Sequence, residues 1–170
     1  MATIFYVNEN INPIDEYYKI NNKTLLSSDK LKQLTGVKLE IIDKISFKNF
    51  ENDNNLSDIC GIIPVNYVHS YDSTDITCEK HSPEPEHFHL DNEIIVMQTG
   101  IGFLLVRTVG DELICIVMTK GYKLTLPAGC IHSFRCQFTD KYRYHTVCGP
   151  CFEPDKEHRV YLDYQQHFIH

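Results

Sequence analysis

The chain has 170 residues, 42% of them hydrophobic, which suits one domain over 1–170 with length enough to bury a substantial core. A net charge of −7 argues against nucleic acid as the main partner, because phosphate binding wants a basic surface. No run of about eighteen apolar residues occurs, so no membrane insertion is expected, and the opening Met1-Ala-Thr-Ile-Phe-Tyr-Val-Asn-Glu9 lacks the basic-then-apolar pattern of a secretory signal.

Taken in order, Thr3 to Val7 reads as a short edge strand, followed by a polar Asn/Glu/Lys stretch to about residue 26. Ser27-Ser28 then stands before Asp29-Lys-Leu-Lys-Gln-Leu-Thr-Gly36. Serine caps in front, leucines three apart and a closing glycine predict one short helix. Val37 to Ile45 is apolar enough to pack, with helix and strand both open. Asn49 to Ser57 reads as a loop or a capped helix start. From Ser73 the chain becomes β-rich, with strands predicted at 74–78, 87–90, 93–98, 102–108, 113–119, 122–126, 131–138 and 142–148. Gly100, Val109-Gly110-Asp111, Lys120-Gly121 and Pro127-Ala-Gly129 punctuate them at the spacing of an antiparallel sandwich or barrel, with its core at about 73–150. Asp155 to Gln166 is expected to end the chain as a short helix. Seven cysteines without a repeating interval, in a chain with no export signal, read as free thiols.

Within the β-rich part His87, His89 and Glu93 form H-x-H-x-x-x-E, and His132 supplies another imidazole. Histidines two apart on a strand share a face with α-carbons roughly 7 Å apart, so both rings can reach one ion. An unbroken strand would carry Glu93 roughly 13 Å past His89, so the chain must turn between them, and Asp91-Asn92 is a suitable turn pair. Glu93 then opens a second strand beside the first. In the later segment Pro127 presets the first corner of a turn, Gly129 suits the last, and His132 begins the returning strand. The expectation is that ligands converge from two hairpins. Three neutral imidazoles and a carboxylate suit a borderline transition metal.

The words Glu86-His-Phe-His-Leu-Asp-Asn-Glu-Ile94, Gly100-Ile-Gly-Phe103, Val106-Arg107 and Leu126-Pro-Ala-Gly-Cys-Ile-His132, followed by Phe134, resemble the paired motifs of the cupin superfamily. Within it the chain most resembles the acireductone dioxygenase family; weaker likeness extends to Leu31-Lys-Gln-Leu-Thr-Gly-Val37 and Phe50-Glu-Asn-Asp53. The resemblance implies a mainly β jelly-roll barrel with a few short peripheral helices, and His87, His89, Glu93 and His132 as the ligands of one Fe²⁺ or Ni²⁺. It implies a dioxygenase of methionine salvage that cleaves an acireductone with O₂, in the cytoplasm and, as a second compartment, the nucleus. Protein partners are left unspecified.

The chain departs from the family around the substrate. Ile95 stands where members usually carry arginine, Pro83 replaces an aromatic, and His145 or Thr146 falls near a second arginine position. An arginine at 95 would share the face of Glu93 beside a chelated anion. Ile95, Arg107, Phe134 and His145 are the candidate substrate residues, although Arg107 reads equally as a strand end at the barrel rim. Cys136 shares the His132 face by alternation, where packing is the expected role. Cys148-Gly-Pro-Cys151 spells a redox tetrapeptide, but Pro154 follows where its helix would run, so a structural turn is expected. Two other readings stay open: a metal-binding cupin with an interaction or regulatory role, and a cupin with another substrate, such as a sugar isomerase or thiol dioxygenase.

Overall fold

The computed structural model describes residues 3–8, 12–17, 19, 25–43, 67–72, 85–136, 143–148 and 160–161. Its strands are β1 (Thr3–Val7), β2 (Lys38–Ile41), β3 (Tyr67–Asp72), β4 (His87–Phe88), β5 (Glu93–Thr99), β6 (Ile101–Arg107), β7 (Leu113–Thr119), β8 (Tyr122–Leu126), β9 (His132–Cys136), β10 (Arg143–Cys148) and β11 (Val160–Tyr161). Two short helices, α1 (Pro13–Tyr17) and α2 (Ser28–Thr35), precede β2. The strands form one sheet in the order β1-β7-β6-β9-β4-β11 and another in the order β2-β8-β5-β10-β3. This is the mainly β, two-sheet antiparallel arrangement expected of a jelly roll.

The helix predicted at Ser27 to Gly36 is there. Ser27 accepts a hydrogen bond from the Lys30 backbone N–H at 3.1 Å, Gly36 closes the last turn, and Leu31 is buried. The ambiguous stretch after it resolves as β2, an edge strand paired to β8. Several expectations are corrected. The polar stretch before residue 26 contains α1, which prolines at a first helical position favour. The sheets begin before Ser73, since β1, β2 and β3 all join them. Residues 160–161 are a strand beside β4 rather than part of a helix, and valine and tyrosine suit that state. The expectations at 49–57 and 74–78 lie outside the described residues.

The two-hairpin expectation also fails, in a way that matters for function. β4 pairs with β9 and β11, whereas β5 pairs with β8 and β10. The chain at 89–92 therefore crosses from the first sheet to the second. At 127–131 it crosses back, from β8 to β9. Both histidine-bearing blocks are corners between sheets.

Alternate residues explain the continuous apolar runs. Ile95, Met97, Leu104, Val106, Ile114, Ile116, Leu124 and Phe134 meet in one buried cluster. Phe103, Leu105, Leu113, Cys115 and Val117, on the other face of β6 and β7, form a second with Phe5 and Val7. Tyr17 of α1 packs edge-on against Phe103 there, with ring centroids 5.6 Å apart. A strand buried on both faces loses its polar alternation, which is why β6 and β7 read as solid hydrophobic segments. Gly102 is required by close approach: a Cβ there would lie 2.4 Å from the Phe134 ring. Among the described residues no helix is long and apolar enough to cross a membrane.

Candidate metal centre

The two corners bring their histidines together through the sheet. His87 of β4 lies directly opposite His132 of β9, and His132 lies opposite Val106 of β6. His89 follows β4 within the first corner, and Glu93 ends that corner as the first residue of β5. The corners are also tied to each other. The Gly129 N–H donates to the His89 carbonyl at 2.8 Å, and the Ala128 N–H donates to Asn92 Oδ1 at 3.0 Å. The turn itself closes from Cys130 N–H to the Pro127 carbonyl at 3.1 Å, with Gly129 at φ 76°. Pro127 thus accepts the closing bond, and the corners are Ala128 and Gly129, the second needing the left-handed backbone that glycine adopts freely.

All four candidate ligands are buried, with His87, His89, Glu93 and His132 exposed by 2%, 6%, 6% and 3%. Imidazoles and a carboxylate so far from water need partners. His87 Nδ1 lies 2.9 Å from the Pro85 carbonyl and His132 Nδ1 lies 2.9 Å from the Cys130 carbonyl. A carbonyl only accepts, so both Nδ1 atoms carry protons, and each neutral ring presents its lone pair at Nε2. One ring nitrogen from each of His87, His89 and His132 lies within 4.8 Å of the others. Glu93 Oε2 is 3.0 Å from His132 Nε2 and 3.5 Å from His89 Nε2.

A carboxylate oxygen facing an imidazole lone pair at that distance is repulsive unless a proton or a cation stands between them. Donors about 2.1 Å from an octahedral ion and at right angles are themselves about 3.0 Å apart. The Glu93 to His132 separation matches that spacing, and three imidazoles with a carboxylate suit a divalent transition metal in chemistry. Burial pushes the Glu93 carboxyl up, but contact with His132 and the positive charge that His132, His89 and His87 can carry outweigh it. The carboxyl sits below its ordinary value. Burial, with the Glu93 charge adding to it, pushes the Cys130 thiol up to about 12. Cys130 serves the site through its carbonyl, which anchors the His132 ring.

The other candidates fall in different places. Ile95 follows Glu93 by two on β5 and Phe134 follows His132 by two on β9; both lie in the apolar cluster behind the ligands. Arg107 ends β6 and is engaged by acids: Nη2 donates to Glu86 Oε2 at 2.9 Å and Nη1 to Asp111 Oδ1 at 3.0 Å. His145 of β10 is in register with Val96 of β5. The structure brings His87, His89, Glu93 and His132 together. Cys136 is opposite Gly102 and Cys148 ends β10, whereas Cys151 lies outside the described residues. Cys115 and Cys130 are buried and form no disulfide.

Sequence reasoning missed Glu86 as the partner of Arg107, Asn92 as a tie between corners, and the two ring-anchoring carbonyls. The carbonyls leave one signal, since each lies two residues before its histidine. The Glu86 and Asn92 contacts span 21 and 36 residues, and no local spacing announces them.

No protein-family model matches the chain. It is 32% identical over 158 residues to acireductone dioxygenase 4 of Arabidopsis thaliana, spanning 85% of this chain and 81% of the relative. It is 29% identical over 161 residues to the acireductone dioxygenase of Drosophila melanogaster, spanning 88% and 82%. Among solved structures it is similar to an acireductone dioxygenase from Bacillus anthracis with a cadmium ion in its active center. The TM-score is 0.61 at 14% identity, covering 89% of this chain and 94% of that one.

Proposed function

The chain belongs to the acireductone dioxygenase family and is an oxidoreductase, and on that premise we propose that it cleaves an acireductone, 1,2-dihydroxy-3-keto-5-methylthiopentene, with O₂. With Fe²⁺ the products would be formate and 4-methylthio-2-oxobutanoate, the 2-oxo acid precursor of methionine. His87, His89, Glu93 and His132 would hold one Fe²⁺ or Ni²⁺. The observation that carries this reading is the Glu93 carboxylate facing the lone-pair nitrogen of His132 at 3.0 Å, beside two more imidazoles.

When bound, such an ion supplies a Lewis-acidic template on which an enediol can be held as an anion next to O₂. The chain's own residues do the rest. His87 and His132, anchored through Nδ1, aim Nε2 inward without having to reorganise. Glu93 supplies one negative charge and lowers the net charge of the site. Ile95 and Phe134 keep water from the inner side of the ligands, which favours exchange of substrate from the outer side.

Oxygen uptake on adding synthetic acireductone to the iron-loaded protein tests the reading. Rapid uptake with one formate released per O₂ is expected. A fully loaded protein that consumes no oxygen would remove the assignment, leaving a metal-binding member with another substrate or a non-catalytic role.

A further inference from the structure

Arg107 touches the residue in front of each of the two ligand strands. Its backbone N–H donates to the Ile131 carbonyl at 3.0 Å, one residue before His132. Its guanidinium holds Glu86, one residue before His87: Nη2 donates to Oε2 at 2.9 Å, and Nε lies 2.9 Å from Oε1 with its N–H turned off the oxygen. The Arg107 side chain is 9% exposed and that of Glu86 17%, so this contact is largely shielded from water, whereas the Asp111 carboxylate on the third nitrogen is 83% exposed. A shielded, charge-assisted arginine–carboxylate hydrogen bond is strong; the exposed one contributes little.

β4 needs such an anchor. It is two residues long, and among the described residues it pairs with β9 only at His87 to His132 and on its other side with the equally short β11, so few ladder bonds hold it. The Pro85 carbonyl orients the His87 ring but moves with the strand. Arg107 is different, because it belongs to the seven-residue β6, which is paired along its length to β7 and β9.

We infer that Arg107 is a positioning residue of the metal centre, setting the separation of His87 and His132 by holding Glu86 and the Ile131 carbonyl at once. The inference rests on the metal reading above. It gives Arg107 a role other than binding a substrate anion, since an incoming anion would have to displace Glu86.

Co²⁺ is a suitable probe, because its visible absorption reports ligand geometry independently of turnover. Metal-free wild type, Arg107→Met, Arg107→Lys and Glu86→Gln are titrated with Co²⁺, and thermal unfolding of each metal-free protein is recorded alongside. Arg107→Met and Glu86→Gln are each expected to weaken Co²⁺ binding about 10- to 100-fold and to shift the visible bands. Arg107→Lys, with a point charge in place of the fork, recovers only part of the loss. The double variant Arg107→Met/Glu86→Gln is no worse than either single, since both remove one contact. Unchanged affinity and spectrum in Glu86→Gln overturn the inference while the metal reading stands, and this arm decides even if Arg107→Met does not fold. A loss of affinity that only tracks a lower unfolding temperature, with an unshifted spectrum, overturns it equally. Failure of wild type to bind Co²⁺ overturns the metal reading and this inference together.

Discussion

His87 and His132 stand directly opposite each other in the β4 to β9 pair, with ring centroids 4.5 Å apart and each ring tied through Nδ1 to the carbonyl two residues earlier. One local device is thus used twice, on strands that are far apart in sequence and adjacent in space. Its consequence is that the centre is assembled by closure of the first sheet. The H-x-H-x-x-x-E block alone does not make it.

Removing one imidazole should therefore disable the centre. His132→Ala and His89→Ala are each expected to lower bound metal from about one ion per chain to a small fraction, because the remaining donors no longer enclose the ion. Elemental analysis of the purified variants checks this. Full occupancy in both would dismiss the ligand assignment.

Acid should release the metal through the histidines first. Glu93 is held below its ordinary carboxylate value, so it stays ionised as the site's imidazoles take up protons. Metal affinity is expected to fall as pH drops from about 7 to about 5.5, and competition with a chelator at fixed pH measures it. The sign for the metal-free fold is the same but sits lower. A depressed Glu93 contributes stability that is present above its unfolded value of about 4.3 and is lost as pH falls through the folded value. An affinity flat across the upper range would count against histidine ligation.

Much of this was legible because it is local. The cap at Ser27, the strand limits of β7 and β8, the Gly129 turn and the ligand spacing are each written within a few adjacent residues. The sheet assignments were not, because a corner and a hairpin use the same turn residues, and only pairing partners distinguish them. Arg107 shows the same limit. Its charge is visible in the sequence, but whether it faces an anion or Glu86 depends on a contact across 21 residues. At 160–161 two β-favouring residues were outweighed by a polar, helix-like setting, and pairing to Phe88 and His87 decided the state.

Packing next to the centre can be tested through Gly102. An added methyl would lie 2.4 Å from the Phe134 ring and 3.5 Å from Met97, so Gly102→Ala is expected to destabilise by about 1–3 kcal/mol. Gly110→Ala is the control, where the nearest atom is Thr108 Oγ1 at 3.7 Å and the change should stay within about 0.5 kcal/mol. Urea unfolding of both reports the difference. Adding Phe134→Leu to Gly102→Ala should recover part of the loss, since the two positions share one space.

Ile95 is the position at which fold and proposed chemistry make competing demands. It is 2% exposed, stands opposite Leu124 and belongs to the apolar cluster that includes Phe134. On its own strand face the neighbouring carboxylate is Glu93, two residues away. A guanidinium introduced by Ile95→Arg would be buried, and an uncompensated buried charge costs about 3–5 kcal/mol. It would therefore turn to Glu93, drawing the carboxylate off His132 Nε2. The expected outcome is a lower unfolding temperature together with a loss of bound metal, and with it any gain in oxygen uptake from holding a substrate anion. Ile95→Met, which conserves volume, should cost less than about 1.5 kcal/mol and keep the metal, showing that charge rather than shape is responsible. Calorimetry, elemental analysis and oxygen uptake on the same preparations separate the possibilities. If Ile95→Arg instead keeps its metal and consumes oxygen faster than wild type, the cluster has room for the guanidinium beside the substrate, and the missing charge at 95 limits the rate of the natural chain.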